Sequence, residues 1–267
     1  MSAAAAQGAE VEHDDFAACA GLVERADPDR FLATMAAPPA ARDVLFPLFA
    51  ANVEVARAPW VTQESMIAEM RLQWWRDAFE EIGKGGVVRR HEVVTPLALA
   101  MRAEDAPLLD QLCDARRWDI YKDPFEDFAD FEGYLQHTSS NLLLVAVNAL
   151  GGGAEDVVRD LGYAAGLANF LRAIPALEAA GRVPLLDGRP EAVRDLAAEG
   201  LRRLARARKR RGDIAPAAAP ALLSGWMAGP VLRRARAVPQ AVVHDEITPS
   251  EAQRRFSLMW RSLLRRW

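Results

Sequence analysis

The chain is 267 residues long, 51% apolar and 26% charged, with a formal net charge of −4. Those values describe one large globular domain or two ordinary ones, and they exclude low-complexity and collagen-like chains. No uninterrupted run of 18 apolar residues occurs, so no transmembrane helix is predicted, and Cys19 and Cys113 fall in no disulfide or metal motif, which predicts a reduced, cytoplasmic setting.

Residues 1–24 open Ala-rich and acidic, with Glu10, Glu12, Asp14 and Asp15. They fit neither a secretory signal nor an Arg-rich transit peptide, and they read as a flexible tail ahead of one domain over 25–267. Asp27-Pro28-Asp29 reads as an N-cap with Pro at the first helical position. Residues 40–58 and 63–82 carry apolar residues at three- and four-residue spacing, with Pro47 expected to kink or interrupt the first and Gly83, Gly85 and Gly86 to end the second. Asp123-Pro124-Phe125-Glu126 reads as a capping box opening a segment towards Asn148, closed by Gly151-Gly152-Gly153. Residues 181–190, with two Gly and two Pro, form the clearest loop. Thr248-Pro249-Ser250-Glu251 reads as a second box, opening a final helix to Trp267. No segment joins strict alternation to β-branched enrichment, so the fold class is all-α with no sheet.

Two of these helical segments share a further pattern. The first runs from Leu48 to Trp60 (LFAANVEVARAPW), the second from Gly166 to Glu178 (GLANFLRAIPALE), followed by Gly181-Arg182. Both resemble the aspartate-rich segments of the squalene/phytoene synthase family. Pro38 to Arg42, Met70 to Asp77, and the frame residues Gly166, Asn169, Leu171, Arg172, Gly181 and Arg182 match as well, so the resemblance spans roughly residues 25–267. It implies an isoprenoid-synthase-type helical bundle around a central cavity. It also implies a site in which carboxylates one turn apart on two facing helices hold magnesium against a departing diphosphate.

Here the ends of the first acidic motif hold Ala56 and Trp60, and those of the second hold Ala173 and Leu177. No catalytic set is intact at these degenerate positions and no metal site is predicted. Glu54 stays in the first segment but projects elsewhere, and Glu178 is expected in a loop after Pro175. Trp60 is expected to fill the volume that metal and diphosphate would occupy, closing the cavity. Asp119, Asp123 and Glu54 are the acids whose arrival in the cavity would favour an enzyme. Asn52, Glu54, Arg57, Asn169, Arg172 and Arg182 are the ligand-binding candidates, because amides and guanidiniums can hold an anionic group without metal. For Asn169 and Arg172 the competing reading is that they satisfy buried carbonyls or acids.

The Asn52–Ala56, Met70–Trp75 and Leu171–Pro175 stretches are similar to a divergent branch of the family that also lacks the aspartates and includes a mitochondrial complex I assembly factor. This implies a non-catalytic helper in assembly of respiratory complex I (NADH dehydrogenase). Complex I subunits or assembly intermediates would be its partners, and it would be cytoplasmic, peripheral at the inner membrane face. The alternatives are a prenyl-diphosphate transferase with an atypical site, which alone would need Mg2+, and a carrier of an isoprenoid or anionic lipid.

The charge is lopsided: residues 1–199 carry 33 acidic and 18 basic residues, residues 200–267 carry 4 and 15. The run from Arg202 to Arg211 either pairs with acids of the first two-thirds or meets an anionic lipid surface. Without aromatic interleaving or a known module, no nucleic acid is expected. Arg233, Arg234, Arg236, Arg261, Arg265, Arg266 and Trp267 add to the membrane-surface reading, with Trp267 as an interfacial anchor. The histidines (His13, His91, His137 and His244) share no ligand spacing, so zinc is not expected.

Overall fold

The computed structural model describes residues 13–264, 266 and 267. Thirteen α-helices make up the described part, and an isolated bridge between Gly153 and Ile214 is the sole extended pairing in it. The all-α expectation holds. None of the described helices is long and apolar enough to cross a membrane.

The expected tail is corrected over its second half. Residues 13–24 belong to helix α1 (His13–Ala26), which packs on α3 (Pro39–Arg57) with Cys19 and Val23 fully buried. Residues 1–12 lie outside the described residues. Helix α2 (Pro28–Met35) starts as predicted: the Asp27 side chain accepts from the Arg30 amide. Helix α3 runs through Pro47 without a break, so the interruption that Pro47 could have caused does not occur. Proline costs a helix about 3 kcal/mol, but Leu45, Phe46, Leu48 and Phe49 around it are all buried, and their packing offsets that cost.

Helix α4 (Ser65–Gly83) ends where the glycines begin, and α5 (Val94–Ala100) and α6 (Ala106–Ala115) follow. Helix α7 (Phe128–Leu135), a π-helical stretch at Gln136–Ser140 and α8 (Asn141–Ala149) form one run. Its cap is Asp127, whose side chain accepts from the Asp130 amide, and not the predicted box at Asp123. The reason is tertiary: Phe125 is buried and stacked on Trp118 at 4.3 Å, which holds residues 123–126 out of the helix.

Helix α9 (Glu155–Ala179) is the central element. It packs on the α7–α8 run on one side and on α10 (Pro190–Lys209) and α12 (Ala228–Ala237) on the other. Buried residues such as Val158, Leu161, Leu167, Leu171 and Ile174 surround it, as a core helix requires. Two glycines let it approach the π-helical stretch. A Cβ on Gly162 would lie 2.5 Å from Ser140 Cα, and one on Gly166 would lie 2.7 Å from Ser139 Cβ. Pro175 does not end α9, so Glu178 is helical and the loop expectation for it is corrected. The loop after Gly181 is as predicted.

After the short α11 (Ala219–Leu222), helix α13 (Glu251–Leu263) closes the fold. Its capping box is Ser250 with Gln253, two residues beyond the predicted one, because the Thr248 hydroxyl is taken by Arg172 Nε at 3.2 Å.

Candidate functional site

Between α2, α3, the α7–π run and α9 lies a cavity of about 810 Å³. Ala56 and Trp60 border it from the α3 side, and Ala173, Ala176 and Leu177 from α9, so the four degenerate positions do converge on one space. They bring no carboxylate to it. Trp60 does not fill the cavity: it is 46% exposed at the edge, its ring 4.8 Å from the Arg182 guanidinium. The expectation of a closed site is therefore wrong. At that distance the ring covers the buried Arg182 guanidinium in a cation–π contact.

Of the six ligand candidates, Asn52, Arg57, Asn169 and Arg172 line the cavity. Asn169 is exposed into it. Asn52 is buried and its Oδ1 has no hydrogen-bond partner, a polar atom on the wall that a bound donor would satisfy. Glu54 is not on the wall and pairs with Arg57 at 3.5 Å. Arg182 stands behind the wall, donating to the Trp118 carbonyl at 3.1 Å, to the Tyr121 carbonyl at 2.7 Å and to the Asp119 carbonyl. It staples the segment after α6 to the end of α9 and positions Asp119.

The carboxylates in the cavity come from elsewhere, and most are already matched by arginines. Asp29, on the first turn of α2, accepts from Arg172 Nη1 at 2.9 Å and from Arg254 Nη2 of α13. Asp27 pairs with Arg30 at 3.0 Å. Asp119 accepts from Arg116 at 3.0 Å and from the Tyr134 hydroxyl at 3.1 Å, while Arg116 also donates to that hydroxyl at 2.7 Å. Burial pushes the Tyr134 phenol well above its usual range, so it stays protonated and serves as a donor. Asp123 is not on the wall. Sequence reading missed Asp29, Arg116, Tyr134 and Arg254. The acid at Asp29 carried a signal only as part of a cap, and the others sit in ordinary helical patterns.

A multi-magnesium cage does not fit these residues. Magnesium needs carboxylates free to turn towards it, yet Asp27, Asp29 and Asp119 are each committed to a guanidinium. Among the described residues no three His, Cys, Asp or Glu side chains converge as a metal site. The cavity instead presents amides, the cation Arg57, the lone carboxylate of Asp245, and a floor that includes Phe170 and Tyr134. Both rings belong to a cluster with Trp118, Phe125 and Phe131 at centroid distances of 4.3 to 6.1 Å. Trp74 and Trp75 pack on each other and on His91, away from the cavity.

The basic run divides. Arg203 pairs with Glu132 and Glu199, Arg206 with Asp160, and Arg210 with Asp156 and with Asp213, so that face compensates mainly acids of the first two-thirds.

Comparisons with known proteins agree with this architecture. The squalene/phytoene synthase family model matches residues 23–185. The NADH dehydrogenase (ubiquinone) complex I, assembly factor 6 homolog of Drosophila melanogaster is 29% identical over 93% of this chain and 84% of its own length. Complex I assembly factor 6 of Bos taurus and of Homo sapiens are each 26% identical over 59% of this chain and 48% of their own, so the chain spans about half of those two proteins. Among solved structures, a dehydrosqualene synthase in complex with ligand superposes with a TM-score of 0.76 at 16% identity, covering 94% of this chain and 96% of that one. Squalene synthase HpnC from Alicyclobacillus acidocaldarius gives 0.65 at 15%, covering 89% and 96%. At those identities the superpositions speak for the fold alone, and with the family match they place the helical bundle and its cavity: the chain belongs to the squalene/phytoene synthase family.

Proposed function

We propose that this protein is a non-catalytic member of its family that acts in the assembly of respiratory complex I, peripheral to the inner membrane face and without a metal cofactor. The observation that carries the reading is the state of the cavity. Its four motif positions hold Ala56, Trp60, Ala173 and Leu177, and three of its acids are held by arginines, so a departing diphosphate would meet no metal cage. The relatives named as complex I assembly factor 6 support the same reading. The test is depletion of the protein, followed by native-gel analysis of complex I and its NADH dehydrogenase activity. Loss of assembled complex, restored by the wild-type chain, is expected. Fully assembled and active enzyme after depletion refutes the proposal. The prenyl-transferase alternative is checked with farnesyl or geranylgeranyl diphosphate and magnesium, where a C30 or C40 product would reinstate it.

The retained cavity supports a second reading, a carrier for an isoprenoid or anionic lipid. A space of about 810 Å³, the orphaned Asn52 Oδ1 and the exposed Asn169 amide suit a polar head above an aromatic floor. Native mass spectrometry of protein taken from cells decides it, since a lipid-free mass with no adduct rules the carrier out.

A further inference from the structure

Helix α13 faces the wrong way for a surface helix. Phe256, Met259, Trp260 and Leu263 are 63%, 58%, 52% and 72% exposed. At 100° per residue they occupy about 100° of its circumference, one continuous outward stripe. Phe256 and Trp260 stack at 6.5 Å along it. Two of its arginines point inward instead: Arg254 reaches Asp29 in the cavity and Arg261 is half-buried, while Arg255 stays exposed beside Glu251. An ordinary surface helix puts its apolar stripe on the core and its charges in water.

The C-terminal end of this helix adjoins a cluster of arginines. Arg208, Arg211 and Arg233 line a pocket of about 400 Å³ whose floor is Leu201 and Leu204. Arg208 Nε and Arg211 Nη2 donate to the Trp267 carbonyl at 3.2 and 2.7 Å, and Arg211 lies 5.1 Å from the Trp267 ring. Trp267 is therefore buried, and Trp260 takes the exposed role expected of it. Unlike the neighbouring Arg203, Arg206 and Arg210, none of Arg208, Arg211, Arg233 and Arg261 pairs with an Asp or Glu side chain among the described residues. Burial and the guanidiniums of Arg261, Arg211 and Arg233 draw Arg208 down to about 10; burial and Arg266 lower Arg211, and burial with Arg233 and Arg211 lowers Arg261. Arg208 Nη2 and Arg211 Nε are buried without acceptors. A phosphate at the mouth of the pocket would relieve the repulsion.

We propose that α13 and this arginine cluster form one docking surface for an anionic phospholipid bilayer, with Phe256, Met259, Trp260 and Leu263 in the interfacial zone and Arg208, Arg211 and Arg233 on lipid phosphates. The stripe lies on α13, and Arg261 of the same helix adjoins the arginine cluster, so exposed apolar rings and clustered cations are neighbours, the two components an anionic interface selects. A second copy of the chain fits less well, because a twofold contact buries the same patch on both copies and would bring two arginine clusters to one interface. The inference deepens the membrane-surface part of the proposed function. Its test uses vesicles without complex I, so either can fail while the other stands.

The test is co-sedimentation of the full chain with phosphatidylcholine vesicles and with phosphatidylcholine–phosphatidylglycerol vesicles, at low and high salt. Binding to the anionic vesicles alone, weakened by salt, is expected. Phe256→Ser combined with Trp260→Ser should weaken it about 100-fold, as two rings leave the interface, and the exposed Arg233→Gln should weaken it about fivefold. Emission of Trp260, taken as the difference from Trp260→Phe, should be quenched by brominated lipid. These side chains are exposed, so circular dichroism should show folded variants. Equal binding to neutral and anionic vesicles, no binding to either, or binding indifferent to the double substitution overturns the proposal. So does a dimer in sedimentation velocity that the double substitution dissociates.

Discussion

Asp29 gives the most direct test of how the cavity is held together. Its carboxylate joins three helices, accepting from Arg172 of α9 at 2.9 Å and from Arg254 of α13, and its backbone carbonyl accepts from Trp226 Nε1 at 3.2 Å. Asp29→Ala keeps the backbone contact and deletes both charged ones. A hydrogen bond to a charged group contributes about 1.5–3 kcal/mol. The side chains are 13% exposed for Asp29, 27% for Arg172 and 22% for Arg254, so water can partly replace the lost partner and the low end applies. Two bonds then sum to about 3 kcal/mol, and at about 2–4 °C per kcal/mol for a chain of this size the midpoint should fall about 6–12 °C. Thermal unfolding by circular dichroism measures it, and a double-mutant cycle with Arg172→Ala isolates the pair, with an expected coupling of about 1–2 kcal/mol. An Asp29→Ala midpoint within about 1 °C of wild type, or strict additivity with Arg172→Ala, would show that the arginines do not depend on this acid and would refute the reading of a neutralised cavity.

The remaining predictions address packing and titration. Gly162→Ala drives a methyl into the Ser140 backbone, where a Cβ has 2.5 Å, and should cost about 2–3 kcal/mol in urea unfolding, whereas Gly133→Ala, inside α7 with open space, should stabilise by about 0.5–1 kcal/mol. Burial pushes the Cys19 thiol up to about 12 and raises Cys113 further, so neither should react with a thiol reagent near neutral pH until the chain is denatured; prompt labelling of the native protein contradicts this. Burial lowers the His91 pKa, and its Nδ1 accepts from the Val93 amide at 3.1 Å. The unfolded state therefore takes up its proton first, so stability is present above about 6.5 and is lost as pH falls through the lower folded value. His91→Gln should flatten that acid limb of the stability profile.

The all-α class, the helix-ending glycines and the loop after Gly181 were legible because they depend on local chemistry: hydrophobic period, backbone freedom and ring constraint. The resemblance of two segments to one family also placed Ala56, Trp60, Ala173 and Leu177 on a common cavity, since a helical frame transmits position even where side chains have changed. Where local signals were misread, a distant partner had claimed the group. Phe125 stacks on Trp118 and moves the α7 cap to Asp127, and the Thr248 hydroxyl goes to Arg172, leaving Ser250 to cap α13. The core around Pro47 keeps α3 whole.

What the sequence determined by itself was the frame and the absence of carboxylates from it. Whether the cavity was empty, filled or neutralised belonged to the tertiary structure. The Asp29 pairs span 143 residues to Arg172 and 225 to Arg254, separations at which no periodicity reports a contact. The same holds for α13. Its pattern announces an amphipathic helix, but a pattern is symmetric to exchange of inside and outside. Only the pull of Asp29 on Arg254, with Leu258 buried beside it, turns the apolar stripe outward.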